Sequence, residues 1–230
     1  MDKKKAVILL SGGLDSATCG VLARKQGFEI YALSFAYGQK NSAETIFAKK
    51  IADYLQVKEH KFVSIDLGAF GNSALTDDID VPKNKQGYHD QGIPITYVPA
   101  RNTIFLSYAL AYAEVKGVFD IFIGANQIDY SGYPDCRDEY LDAYEKMANL
   151  ATKNSGKNQF RINRPLVNFT KSEIVRIGIE NDFDYSMTMS CYDPVLKDEK
   201  YHACGACDSC FYRLNAFAKN NTKDPQFYDK

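Results

Sequence analysis

The chain has 230 residues, enough for one well-buried core with a small appendage but too few for two full domains. Its 28 basic and 29 acidic side chains leave a formal charge of −1, so no net field draws it toward nucleic acid, acidic polymers or an anionic membrane. Small-molecule partners are favoured, and the apolar run after Lys3, Lys4 and Lys5 breaks at Ser11, too early for a signal-peptide core or a membrane span, which predicts a cytoplasmic protein.

Strand-like and helical patterns alternate from the start. Residues 6–10 read as a strand, 16–25 as a helix with Ala17, Val21 and Leu22 at helical spacing, 29–35 as a strand, 43–55 as a helix and 59–65 as a third strand. A helix over 104–116, a buried strand over 119–124, and helices over 138–151 and 171–181 follow. The alternation predicts an α/β fold, a Rossmann-like parallel sheet with helices on both faces and ligands at the carboxyl ends of its strands. Residues 66–96 interrupt it with Gly, Asp, Asn and Pro and little periodicity, and read as a lid or a disordered insert. The expected division is 1–186 for the α/β domain and 187–230 for a cysteine-rich module packed on the same core.

The segment from Val7 to Ser16 joins an apolar strand to two glycines and small polar side chains, then enters a helix. Glycines let the backbone turn and approach a ligand, and the helix start offers free N–H groups and a positive dipole end, so the segment is an anion site suited to phosphate. It lacks the lysine of a P-loop and the spacing of a dinucleotide fingerprint.

Four of the six cysteines, Cys191, Cys204, Cys207 and Cys210, place two CxxC steps on a shared Cys207 with a partner upstream. Four thiolates close a tetrahedral shell with no open position, which predicts a structural zinc remote from substrate. A disulfide pair is disfavoured in the cytosol, and an iron–sulfur cluster is the better rival. His202 stands beside the cluster and reads as a loop histidine.

Other candidates follow the strands. Arg101, before an apolar helix, offers a fork of donors to phosphate or carboxylate. After the buried strand, Asp129 and Asp135 can accept from ring N–H or amine groups and Tyr130 or Tyr133 can stack, as recognition of a flat heterocycle requires. Thr170 to Glu173 reads as a capping box that sets Lys171 in a first helical turn, where a cation wants an anionic partner. Cys19 lies on a predicted buried helix face and reads as core.

The string S-G-G-L-D-S resembles the pyrophosphate loop of the N-type ATP pyrophosphatases, which cleave ATP between its α and β phosphates. With Y-G-Q-K at 37–40, V-P-A-R-N at 98–102, D-Y-S-G-Y-P-D-C-R at 129–137, T-K-S-E at 170–173 and C-G-A-C-D-S-C at 204–210, the chain resembles the 7-cyano-7-deazaguanine synthase (QueC) family over nearly its whole length. One departure is Asn41, where that family usually carries histidine. The resemblance implies ATP-dependent conversion of 7-carboxy-7-deazaguanine and ammonia to the 7-cyano base, with Mg2+ on the phosphates and a homodimeric enzyme. It implies ATP contacts along Leu9, Leu10, Ser11, Gly12, Gly13, Leu14, Asp15, Ser16, Ala17, Thr18 and Cys19. Catalytic roles fall to Asp15, Arg101 and Lys171, and substrate contacts to Arg101, Asn102, Asp129, Tyr130, Tyr133 and Asp135. Two other readings compete: a tRNA thiolation enzyme using Cys136 as nucleophile, and a nucleic-acid-binding protein built on the cysteine knuckle, which the weakly basic tail disfavours.

Overall fold

The computed structural model describes residues 3–40, 43–83, 92–128, 133–153 and 158–229. Strand β1 (Lys5–Leu9) is buried on both faces after its first residue, the signature of a central strand in a covered parallel sheet. It pairs in parallel with β2 (Glu29–Ala36) on one side and β4 (Asp120–Phe122) on the other. With β3 (Glu59–Ser64) outside β2 and β5 (Arg161–Asn163) outside β4, the order is β3-β2-β1-β4-β5, all parallel.

The period of two along each strand sorts the core into two layers. Val7 and Leu9 of β1 with Tyr31, Leu33 and Phe35 of β2 face helices α3 (Arg101–Lys116) and α4 (Asp138–Ala151). Ala6 and Ile8 with Ile30 and Ala32 face α1 (Leu14–Lys25), α2 (Ala43–Leu55), α5 (Lys171–Glu180) and α6 (Asp208–Lys219), through residues such as Ala17, Ile51, Ile174 and Phe217. The tail helix α6 therefore packs on the same core as the sheet. No helix among the described residues is long and apolar enough to cross a membrane.

Three features depart from the sequence pattern. The described flanks of the 66–96 segment are packed, not disordered: Ser73 and Ala74 are wholly buried, Ala74 N donates to Ile95 O at 2.9 Å, and Leu67 and Leu75 join the core. Helix α3 begins at Arg101, three residues before its apolar periodicity, because Ala100 turns the chain at φ 54° and Asp135 accepts the Asn102 N–H at 2.9 Å. Short β5 and the antiparallel hairpin of β6 (Val195–Lys197) and β7 (Lys200–His202) were too brief to leave a periodic signal.

Candidate active site

The strand order reverses between β1 and β4, the place where open α/β sheets open a crevice at their carboxyl ends. A cavity of about 190 Å³ lies there. Its charged floor is the turn from Ser11 to Ser16, and Leu33, Phe35 and Phe105 make its apolar end, with the Phe35 and Phe105 rings stacked at 4.0 Å.

The turn has its shape because its side chains hydrogen-bond the backbone that a ligand-free loop leaves open. Ser11 Oγ accepts from Gly13 N at 3.2 Å and lies 3.0 Å from Ser16 Oγ, which itself accepts from Ser11 N and donates to Gly13 O. Gly12 has φ +91°, and a Cβ there would overlap the carbonyl oxygen of Glu44 in the first turn of α2. Gly124, at the end of β4, stands so close that a Cβ would lie 2.8 Å from Ser16 N. Both glycines let neighbouring elements close on the start of α1, whose first-turn amides have no intrahelical acceptor. Gly12→Ala is therefore expected to cost about 1–3 kcal/mol from the strained backbone. The added overlap with α2 should weaken anion binding at the turn by about tenfold, measured by titration with pyrophosphate.

Lys171 is brought to the turn by α5. The capping box forms as read: Thr170 Oγ1 accepts from Glu173 N at 3.3 Å and Glu173 Oε2 accepts from Thr170 N at 2.8 Å. The Lys171 ammonium, 8% exposed, reaches Asp15 Oδ1 at 2.7 Å and Oδ2 at 2.6 Å. A lysine and an aspartate far apart in sequence thus meet at the edge of the phosphate loop.

Across the cavity, Arg101 stacks its guanidinium 5.7 Å from the Tyr37 ring and approaches the Tyr37 hydroxyl at 3.5 Å. Burial disfavours its charge, but Tyr37, Tyr133, Glu44 and Asp135 outweigh that and hold it protonated. Burial also pushes the Glu44 carboxyl above its ordinary value, against the pull of Arg101 and a hydrogen bond from Tyr37. Asn102 lines the wall and donates through Nδ2 to Asp135 O at 3.1 Å and Cys136 Sγ at 3.2 Å.

The cysteine tail forms the remaining wall. The Sγ atoms of Cys191, Cys204, Cys207 and Cys210 lie within 4.8 Å of one another. Backbone N–H groups of Asp193 and Cys204 point at Cys191 Sγ at 3.3 and 3.2 Å, and those of Ala206 and Cys207 at Cys204 Sγ at 3.4 Å. Gly205 makes the knuckle turn at φ +70°. Thiolates accepting amide hydrogen bonds in a tight knuckle fit a four-coordinate metal with bonds of about 2.3 Å. His202 stands apart, with Nδ1 3.4 Å from Tyr228 O.

From this cluster the chain leads straight back to the phosphate loop. Met189 N donates to Gly12 O at 3.0 Å, Leu14 N to Ser190 Oγ at 3.2 Å, and Ser209 Oγ to Ser190 O at 2.6 Å. Arg213, 1% exposed, grips Asp224 through Nε at 2.8 Å and Nη2 at 3.0 Å while Nη1 donates to Thr188 Oγ1 at 2.6 Å.

Leu9, Leu10, Ser11, Gly13, Leu14, Asp15 and Ser16 all line the cavity, as do Arg101, Asn102, Tyr133 and Lys171. Ala17, Thr18 and Cys19 turn into the core behind the helix start: Thr18 bonds Tyr185 Oη at 2.7 Å, and Cys19 is wholly buried. Asp135 lies behind Asn102, accepting its N–H at 2.9 Å through Oδ2 at the start of α3. Tyr133 keeps its place on the wall with its hydroxyl 2.8 Å from Thr96 Oγ1. Asp129, Tyr130 and Asn41 lie outside the described residues. Glu44, Ser190 and Arg213 were not legible as site residues; only the position of Glu44 in a helix's first turn, seven residues after Tyr37, hinted at one of them.

A doubly covered parallel sheet with a glycine turn at its switch point, faced by a buried lysine and an arginine, defines a Rossmann-like α/β protein with a cavity suited to an anionic ligand. The sequence profile of the family described as "Queuosine biosynthesis protein QueC" matches residues 5–221, and the chain belongs to that family. The 7-cyano-7-deazaguanine synthase of Geotalea daltonii is 56% identical over 228 residues, covering 98% of this chain and 97% of that one. That of Geotalea uraniireducens is 56% identical over 229 residues, covering 99% and 98%. Among solved structures, NMN synthetase from Francisella tularensis shares the fold, with a TM-score of 0.51 at 20% identity over 96% of this chain and 79% of that one.

Proposed function

We propose that the chain converts 7-carboxy-7-deazaguanine and ammonia to 7-cyano-7-deazaguanine at the expense of ATP, the step that supplies the 7-cyano base in queuosine biosynthesis. The observation that carries the reading is the union of the turn from Ser11 to Ser16 with the buried Lys171–Asp15 pair on one cavity wall, in a chain of this family.

A carboxylate resists attack by ammonia because oxide is a poor leaving group, and transfer of AMP to it supplies a good one. The loop amides and Lys171 meet the departing pyrophosphate, stabilising charge that grows as the bond to the α phosphate breaks. A magnesium ion carried by ATP would supply charge neutralisation to the phosphates, and Asp15, beside the turn, would be the residue to hold it directly or through water. Arg101 and Asn102 face the acid, and Phe35 and Phe105 offer a flat apolar surface to a heterocycle. Ammonia then gives an amide, and adenylation of the amide oxygen lets AMP leave as the nitrile forms. The work is positioning and electrostatics, with no covalent enzyme intermediate.

The four tail cysteines hold a structural zinc in this account, and the segment from 187 onward is a metal-stapled module that braces the phosphate loop through Ser190. Six cysteines, none of them in a disulfide, suit a reducing, cytoplasmic setting. The resemblance supports a homodimer, which light scattering tests. The net charge of −1 favours small molecules over RNA as partners.

Cys136 does not favour the thiolation reading. Burial and the neighbouring Asp135 push its thiol up to about 12, so it is not the thiolate that a sulfur carrier needs at neutral pH. Cys136→Ser is expected to keep nitrile formation within about threefold, an estimate for an isosteric change; a loss beyond about 100-fold would restore the nucleophile. The direct assay combines ATP, magnesium, ammonium and 7-carboxy-7-deazaguanine and follows amide and nitrile by mass spectrometry. Absence of both products contradicts the proposal.

A further inference from the structure

Turning ammonium into a nitrile nitrogen removes every one of its N–H protons, so the reaction needs a proton acceptor beside the reacting carbon as well as a leaving group. Two carboxylates line the cavity among the described residues, Asp15 and Glu44. Asp15 is already engaged, with both carboxylate oxygens held by the Lys171 ammonium. Glu44 is placed differently. Its backbone is pinned against Gly12 of the phosphate loop, and its side chain enters the same cavity opposite Arg101 and the hydroxyl of Tyr37.

We propose that Glu44 is the base that receives the nitrogen-bound protons in both halves of the reaction. The inference deepens the synthase reading and rests on it. In the first half, the Glu44 carboxylate takes a proton from ammonium. The freed lone pair forms the C–N bond, the acyl bond to the AMP oxygen breaks, and AMP departs with that electron pair. Glu44 passes the ammonium proton to solvent, and the carboxylate so regenerated takes the surplus proton from the nitrogen to give the neutral amide. In the second half, adenylation of the amide oxygen expels pyrophosphate and leaves a protonated imidate, whose first N–H proton Glu44 takes and passes to solvent. Removal of the last one by Glu44 completes the carbon–nitrogen triple bond as AMP leaves with the C–O pair. Burial suits the group to this role, because it raises the carboxyl above its ordinary value and so makes the carboxylate a stronger proton acceptor. The groups that act on it are Arg101 from α3 and Tyr37 from the loop after β2, both drawing it down against burial.

The test separates the steps with the full, metal-loaded chain. In Glu44→Gln, the burst of pyrophosphate from ATP and 7-carboxy-7-deazaguanine without ammonium should stay within about threefold of wild type, while amide formation at neutral pH falls about 100-fold. The defect should shrink as pH rises, because free ammonia then replaces ammonium, which at neutral pH is protonated as alkylamines are. Glu44→Asp should fall between the two. Equal loss of burst and amide formation would make Glu44 a nucleotide contact and overturn the proposal, as would amide formation at the wild-type rate. If the glutamine variant does not fold, the aspartate variant decides by the same split. A wild-type chain that gives no burst with this acid sinks the synthase reading itself, whereas a wild-type burst with an unaffected variant sinks only the role of Glu44.

Discussion

Replacing Lys171 with methionine is expected to slow pyrophosphate release by about 10²–10³-fold, the range seen when one preorganised donor to a developing anion is removed. The ammonium serves two anions. It holds Asp15 at 2.6 Å in a setting where the lysine is nearly sealed from water, and it stands at the lip of the turn proposed to grip the phosphates. Loss of one partner from such a buried pair also leaves the other charge uncompensated, which weakens folding by about 3 kcal/mol. The two effects are separable: the rate is read per folded molecule at saturating ATP, and stability from urea unfolding. Lys171→Arg retains the charge but not the compact point geometry, so it should restore stability better than rate.

The second large effect is expected at the tail. Cys207→Ser opens the thiol shell, and the one equivalent of metal that the structural-zinc proposal expects should be lost, measured by elemental analysis. Stability follows, because metal binding at a structural site is folding free energy, on the order of 10 kcal/mol in isolated zinc modules. Only part of that falls on this chain, since Ala216 and Phe217 of α6 also pack on the sheet core. The functional consequence runs through Ser190. Its hydroxyl accepts the Leu14 amide at the start of α1, and Met189 bonds the Gly12 carbonyl. Loosening the tail should therefore raise the KM for ATP by at least tenfold before the fold itself is lost. A chelator-treated wild-type chain should behave the same way.

How far the site could be read from sequence follows the range of the interactions. The phosphate turn was legible because a strand, two glycines and a helix start are local events, and the cavity forms where that turn lies. Lys171 was legible because a capping box needs only the residues from Thr170 to Glu173, although its partner Asp15 was not paired with it in advance. The four cysteines declared themselves by spacing. Residues whose role depends on two elements meeting in space stayed hidden. Glu44 becomes a cavity group only because Gly12 lets α2 close on the loop. Ser190 looks like a spacer before Cys191 until the tail folds back to Leu14. The local role of Asp135 stayed hidden for the same reason: α3 starts earlier than its apolar pattern, and Asp135 accepts the Asn102 N–H there. Short β5 went unread because three residues carry no period, though it pairs with β4 and closes the sheet.

The measurement that bears most directly on the account follows ATP labelled at its α phosphate through turnover with 7-carboxy-7-deazaguanine and ammonium. The label should leave as AMP, with inorganic pyrophosphate released in equal amount and in step first with amide and then with nitrile. Label recovered as ADP, with orthophosphate in place of pyrophosphate, would contradict the assignment of the turn from Ser11 to Ser16 as the grip on the β and γ phosphates.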